Sequence, residues 1–182
     1  VMVTHNLEEA FRICEDLIIL DEGRIIAAGH KHAVFAQPGS VRAAIVTGCK
    51  NISRIRPGGK PGVIVAEDWG EIELSLPAGA TANGASHLGL RAHHIALSGH
   101  VVQDPKGTNM FSCWIDEASE TPHRVTVHLR LRPERDATSG QLQVELTKDA
   151  WRHLIRSPEP WMVTLPPARL MPLTESSKIR PV

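Results

Sequence analysis

The sequence predicts a mainly β chain: a small barrel or sandwich preceded by a short α/β segment. Three observations carry that expectation. Beyond residue 50, short apolar runs recur at close spacing between Gly- and Pro-rich turns. The run at 124–132 alternates cleanly, with Val125, Val127, Leu129 and Leu131 on one face and Thr126, His128, Arg130 and Arg132 on the other. Only residues 1–28 mix strand and helix patterns.

Taken in order, Val1-Met2-Val3 reads as the end of a buried strand. Asn6 reads as the cap of a helix carrying Leu7, Ala10, Phe11 and Cys14 on one face. Glu8 and Glu9 fall in that helix's first turn, where its dipole favours them. Leu17-Ile18-Ile19-Leu20 is expected to form a second buried strand, and Asp21-Glu22-Gly23 a hairpin turn into Arg24-Ile25-Ile26-Ala27. A piece of this size cannot cover both faces of its own sheet, so it is expected to belong to something larger. The chain opens on Val, with no basic or apolar leader, and reads as cut there. Strand edges exposed by such a cut should pair elsewhere, fray or drive an exchanged dimer.

Residues 29–49 read as a connector of two helical turns, 30–36 and 40–47, split by Pro38-Gly39 and ended by Gly48. Expected strands follow at 51–56, 63–67, 71–76, 88–95, 100–103, 110–118, 124–132, 142–146 and 162–165. Turn clusters punctuate them at 56–62, 77–79, 104–107 and 138–140. The stretch 147–156 has Thr147 as a cap and Ala150, Trp151, Leu154 and Ile155 on one face, a short helix expected to plug the barrel. The polar tail from Thr174 is expected to fray. The organisation is therefore 1–28, 29–49, 50–173 and 174–182.

Composition narrows the function. Apolar residues make up 42% of 182, enough for a core, and 20 basic residues balance 20 acidic ones, leaving no net field for nucleic acid or an anionic membrane. Cys14, Cys49 and Cys113 are too few and too scattered for a disulfide framework or a paired-cysteine zinc site, so a reducing compartment is expected. No apolar run approaches the roughly 20 residues of a membrane helix.

The run Val3-Thr4-His5-Asn6-Leu7-Glu8-Glu9-Ala10, followed by Cys14-Glu15-Asp16-Leu17-Ile18-Ile19-Leu20-Asp21-Glu22-Gly23-Arg24-Ile25, resembles the switch-histidine region of ABC-transporter ATPases. About 25 residues match in order, with Asn6 where Asp is commoner. Gly48-Cys49-Lys50-Asn51-Ile52 looks like the connector into a TOBE domain, an OB-fold-like barrel of importer ATPases, and Gly89-Leu90-Arg91-Ala92-His93-His94-Ile95 looks like a characteristic strand of that domain. Val163-Thr164-Leu165-Pro166-Pro167 also fits. The Cys-Lys-Asn connector and the His-His pair look most like the molybdate, tungstate or sulfate importers.

The resemblance implies an OB-like barrel after an α/β remnant of the ATPase domain. By it, His5 would contact the γ-phosphate of ATP in the parent protein, alongside Mg²⁺. No Gly-x-x-x-x-Gly-Lys-Ser/Thr loop or serine-glycine-glycine signature occurs in these residues, so the chain alone is not expected to be an enzyme or to hold a cofactor. The implied role is regulatory and dimerising. The partners would be a second copy and, through the ATPase domain, transmembrane permease subunits, at the cytoplasmic face of the plasma membrane. In some relatives such a domain binds the transported oxyanion, and Lys50, Asn51 and Ser53 are the candidate donors for that. The alternative is a purely structural domain of a sugar-type or other importer ATPase.

Blander readings stand beside these. Lys50, Asn51 and Ser53 could be an ordinary strand entry. His93 and His94, adjacent on a strand, would point to opposite faces and share no metal ion, and no third ligand follows His30 and His32. Arg91 reads as structural. His128, Arg130 and Arg132 form a basic face, but binding single strands needs exposed aromatic platforms, and Trp69, Trp114, Trp151 and Trp161 fit core or interface positions better. No nucleic-acid partner is expected. A self-contained enzyme using His5 with Glu15 or Asp16 lacks a nucleophile or metal constellation.

Overall fold

The computed structural model describes residues 1–99, 109–134 and 140–175. The N-terminal part comprises a helix α1 (Leu7–Ile13), strands β1 (Asp16–Asp21) and β2 (Arg24–His30), and two short helices, α2 (Lys31–Ala36) and α3 (Val41–Val46). The Asn6 side chain accepts hydrogen bonds from the Glu8 and Glu9 amides, the expected cap. Glu22 and Gly23 both take positive φ, as a two-residue hairpin turn requires, and β1 and β2 pair antiparallel across it. The Ser40 hydroxyl accepts from Ala43 N–H and starts α3.

The rest is β, as the sequence predicts. One sheet has the order β12 (Met171–Leu173), β6 (His87–Leu90), β3 (Asn51–Pro57), β4 (Val63–Ala66), β5 (Ile72–Ser75). The other has β10 (Gln141–Thr147), β9 (Arg124–Arg130), β8 (Met110–Glu120), β11 (Trp161–Thr164), β7 (Ala96–Ser98). All pairings are antiparallel, and the curled sheets share one core in an OB-like arrangement. The alternating strand behaves as its pattern demands: Val125, Val127 and Leu129 are fully buried, each contributing about 1.5–3 kcal/mol of apolar burial. They meet Leu74, Leu88 and Leu90 from the first sheet, with Trp69 and Trp161 filling the bulk. Helix α4 (Lys148–Leu154), capped by Thr147, lays Leu154 and Trp151 onto this core.

Four expectations are corrected. Val1-Met2-Val3 forms no strand and lies exposed, because no neighbouring strand is there to pair with it. β1 is not buried on both faces: Ile19 is covered, while Ile18 and Leu20 are 65% and 63% exposed. The run 88–95 is not one strand. It leaves the first sheet at Leu90, makes a 3-10 turn over Ala92–His94 and enters the second sheet as β7, because the curled sheets meet at a corner there. Thr174, expected to fray, is held in place. Thr174 N–H donates to Gly39 and its carbonyl accepts from Val41, which ties it to the connector through the unforeseen strand β12. The expected strand at 100–103 and turn at 104–107 lie outside the described residues, as does most of the turn at 138–140.

Two smaller clusters attach the N-terminal part. Ile19 and Ile26, from the hairpin's inner face, pack on Val34 and Ala43 of the connector. Ala44 and Cys49 pack on Met171 and Leu173 of the β unit. Helix α1 docks through Phe11, edge-on to Phe35 at 4.8 Å, while Lys31 Nζ donates to the Phe11 carbonyl at 2.9 Å.

Truncating the buried strand should cost far more than truncating the bare hairpin face. In urea unfolding, Leu129→Ala should lose about 2–5 kcal/mol, because a cavity opens where both sheets meet. Ile18→Ala should stay within about 0.5 kcal/mol of the parent.

Candidate functional site at the connector junction

Lys50, Asn51 and Ser53 lie where α3 leads into β3. Helix α3 ends at Thr47, Gly48 takes φ +83, and Cys49 N–H returns to the Ala44 carbonyl. The chain then runs into β3 at Asn51. Gly89 on β6 lies directly beneath: a Cβ there would sit 3.0 Å from Leu173, 3.2 Å from Met171 and 3.3 Å from the Cys49 sulfur. A side chain there would press on the ends of these three side chains, each of which would have to give by a few tenths of an ångström.

Asn51 is 2% exposed and its amide is fully used. Nδ2 donates to the Leu90 carbonyl at 3.2 Å and to the Gln143 carbonyl at 2.8 Å, and Oδ1 accepts from Gln143 N–H at 2.6 Å. Gln143 lies on β10, an edge strand whose outward backbone groups would otherwise be orphaned. The side chain therefore pairs with that edge as a neighbouring peptide would, stitching one sheet to the other. Ser53 is also committed: its hydroxyl donates to the Arg54 carbonyl at 2.8 Å and accepts from Asp68 N–H at 2.9 Å. It thereby holds the 3-10 turn Glu67–Trp69 that sinks Trp69 into the core. The Arg54 guanidinium, bonded to Asp68, holds that carboxyl below the usual carboxylate range. Of the three predicted donors, Lys50 alone is exposed and makes no hydrogen bond or ion pair among the described residues.

Arg91 stands at the corner between β6 and the 3-10 turn, 8% exposed. Its guanidinium donates to the Thr47 carbonyl at 2.7 Å, to the Thr47 hydroxyl at 3.2 Å and to the Phe35 carbonyl, and lies 5.4 Å from the Phe35 ring. Every one of these acceptors belongs to the connector, as the structural reading of Arg91 expects. Burial without a carboxylate partner draws its pKa down. It pushes the Cys49 thiol beside it up.

His93 and His94 do not lie on a strand with opposed side chains. Within the 3-10 turn their rings come to 4.3 Å, edge to face. Burial lowers the pKa of both, and the charges of nearby Arg91 and Arg169 act the same way, while Glu145 opposes this at His93. Among the described residues no group of three His, Cys, Asp or Glu side chains could hold a metal ion.

His5 lies apart from this junction, exposed in the loop before Asn6. Of the basic residues Arg130, Arg132 and His128, the two arginines are engaged within the protein. Arg130 is buried, 3.5 Å from Asp116 and stacked near Trp114, and Arg132 donates to the Gly70 carbonyl at 2.8 Å. Sequence reasoning passed over Asn109, which repeats the Asn51 arrangement at the far edge. Its Oδ1 accepts from Ser75 N–H at 2.7 Å and its Nδ2 donates to the Ser75 carbonyl at 2.9 Å, closing edge strand β5. No local pattern marks an asparagine for that task.

The chain matches no family model. It is similar to the sulfate/thiosulfate import ATP-binding protein CysA of Bacillus cereus, at 27% identity over 159 residues, which are 85% of this chain and 40% of that protein. The chain thus spans well under half the length of this relative. Among solved structures it is similar to the cytoplasmic molybdate-binding protein ModG with molybdate bound, at 13% identity and a TM-score of 0.44, covering 68% of this chain and 95% of that one.

Removing the stitch should be costly. Asn51→Ala removes the partner of the half-buried Gln143 N–H and carbonyl and a donor to the buried Leu90 carbonyl, and should lower unfolding free energy by about 2–4 kcal/mol in denaturant titration. The histidines give a sign for pH. Their folded pKa lies below the ordinary value of about 6.5, so the unfolded chain binds protons first and their stabilising contribution, complete above that value, is lost as pH falls through it. Thermal midpoints measured from pH 7.5 to pH 5 should therefore fall less steeply in the double variant His93→Asn, His94→Asn than in the parent.

Proposed function

We propose that the chain is a part of the ATP-binding subunit of an importer, in which residues 1–28 complete the sheet of the ATP-hydrolysing domain and the β unit holds two such subunits in register. The observation that carries this reading is the bare outer face of the β1–β2 hairpin. Ile18, Leu20 and Ile25 stand exposed on it while Ile19 and Ile26 are covered by the connector. Among the described residues, every large exposed hydrophobic side chain except Ile155 falls within residues 1–46. An apolar face of that kind, on a two-stranded sheet, fits a surface made to be covered by more sheet or helix. The similarity to an import ATP-binding protein supports the same assignment.

In that setting His5 would face the γ-phosphate, from a loop that opens a helix. These residues do not make an ATP site by themselves. The phosphate loop and the Mg²⁺-holding carboxylate would have to come from elsewhere in the subunit, and no step of hydrolysis is assigned to this chain alone. The subunit would work at the cytoplasmic face of the plasma membrane beside its permease partners.

A second reading, in which the β unit senses the transported oxyanion, is favoured by Lys50. It is an uncompensated ammonium beside a junction that ties the connector to both sheets. Asn51 and Ser53 would serve that site by shaping it, since their side-chain donors are already engaged.

Two measurements test these readings. Fused to the ATP-hydrolysing part of the Bacillus cereus relative, the chain should protect the β1 amides from hydrogen exchange and support ATP turnover that His5→Ala lowers about a hundredfold. A folded fusion in which β1 stays unprotected and the substitution changes nothing would remove the first reading. For the second, sulfate or molybdate should raise the melting temperature saturably in the parent and not in Lys50→Gln. No shift at about 10 mM anion would remove it.

A further inference from the structure

We propose that the cleft between the β3–β4 loop, residues 57–62, and the loop 81–85 binds a small organic anion, a carboxylate or sulfonate head on an apolar body. The inference does not rest on the import reading. The cleft lies at the opposite end of β3 from Asn51, about 20 Å along the strand.

The loop is drawn in tightly. Gly58 N–H donates to the Val63 carbonyl at 2.9 Å, and Val63 N–H donates back to the Lys60 carbonyl at 3.1 Å. A Cβ on Gly58 would lie 2.7 Å from the Val63 side chain and 2.9 Å from its carbonyl oxygen, so only glycine allows this close return. The opposing wall is built the same way, with Ala85 N–H closing on the Ala82 carbonyl at 2.9 Å. Both walls are therefore set by backbone hydrogen bonds before any ligand arrives, which keeps the ordering cost of binding low.

The cleft has a volume of about 520 Å³. That lies within the range of small-molecule sites and is far more than a bare tetrahedral oxyanion needs. Its apolar lining includes Ile55, Ile64 and Leu76, the inner residues of β3, β4 and the segment after β5. Arg56 and Lys60 supply charge, and no Asp or Glu lines it. Arg56 is already shared with Glu67 and Glu71, each at 3.7 Å, whereas Lys60 makes no ion pair among the described residues. The backbone N–H groups of Gly59 and Lys60 at the loop tip likewise meet no acceptor among the described residues. One unmatched cation and two unpaired amides above an apolar floor select a ligand that is anionic at one end and apolar at the other.

Titration of the ¹⁵N-labelled chain with phenylacetate and with benzenesulfonate, followed by amide chemical shifts, tests this. Saturable shifts at Gly58, Gly59, Lys60, Gly62 and Ala85 are expected, and Lys60→Gln should weaken binding about tenfold while leaving the rest of the spectrum in place. Lys50→Gln should bind like the parent. The proposal is overturned if benzyl alcohol binds as tightly as phenylacetate, if inorganic sulfate alone reproduces the shifts, or if Lys60→Gln binds unchanged. No saturable shift up to about 10 mM of either anion also overturns it.

Discussion

Two buried asparagine amides hold the β unit closed. Curled sheets that share one core still have edges, and an edge strand buried without a partner leaves its N–H and C=O groups unpaired, at about 1–3 kcal/mol for each. Asn51, rooted in the first sheet, takes both outward groups of Gln143 on the edge strand of the second. Asn109, rooted at the start of β8 in the second sheet, does the same for Ser75 on the edge strand of the first. The stitching is reciprocal. An amide is the one side-chain group that offers a donor and an acceptor side by side in peptide geometry, which is why asparagine occupies both places. Asn109 adopts φ +59 to reach its partner, a conformation asparagine tolerates better than most residues.

The second constraint is a cation without a counter-ion. Arg91 is buried against neutral acceptors alone, so its charge is stabilised by the Thr47 and Phe35 carbonyls and by the Phe35 ring. Breaking the contact would strand a buried guanidinium, and the connector is thereby held to the corner of the barrel. With Cys49 packed on Met171 and Leu173, and Thr174 bonded to Gly39, the connector is fastened to the β unit at three places. On the proposed reading, this matters for function: a displacement of the hairpin would be carried to the barrel as a rigid movement through the connector.

Much of this was legible in the sequence. Asn6, Ser40 and Thr147 declare helix starts because a short polar side chain can accept from an amide two or three residues on, a local interaction that needs no tertiary partner. Asp21-Glu22-Gly23 declares a hairpin by the same kind of local cause. The alternation from Val125 to Leu131 sorts one face inward whatever the neighbouring strands are. The run 88–95 misleads because its apolar residues are continuous across a corner. Periodicity registers burial on either side of Arg91 but not the change of sheet between Leu90 and Ala96. The strand at Met171–Leu173 is three residues long with a proline at its centre, too short to show a period.

The candidate site divides in the same way. Lys50, Asn51 and Ser53 are recognisable from sequence as polar residues at a strand entry, and Gly89 and Arg91 as a marked pair. Whether such residues face a ligand or the protein's own backbone depends on what stands 92 positions away in the chain, as it does for Asn51 and Gln143. The sequence by itself determined the mainly β class, the caps, the turns and the buried face of β9, since these follow from interactions among near neighbours and from the alternation of side chains along a strand. Only the tertiary structure decided that Asn51 and Ser53 are committed internally, that Arg91 clamps the connector, and that the hairpin leaves one face bare. Each of those depends on long-range pairing, which chain order does not encode locally.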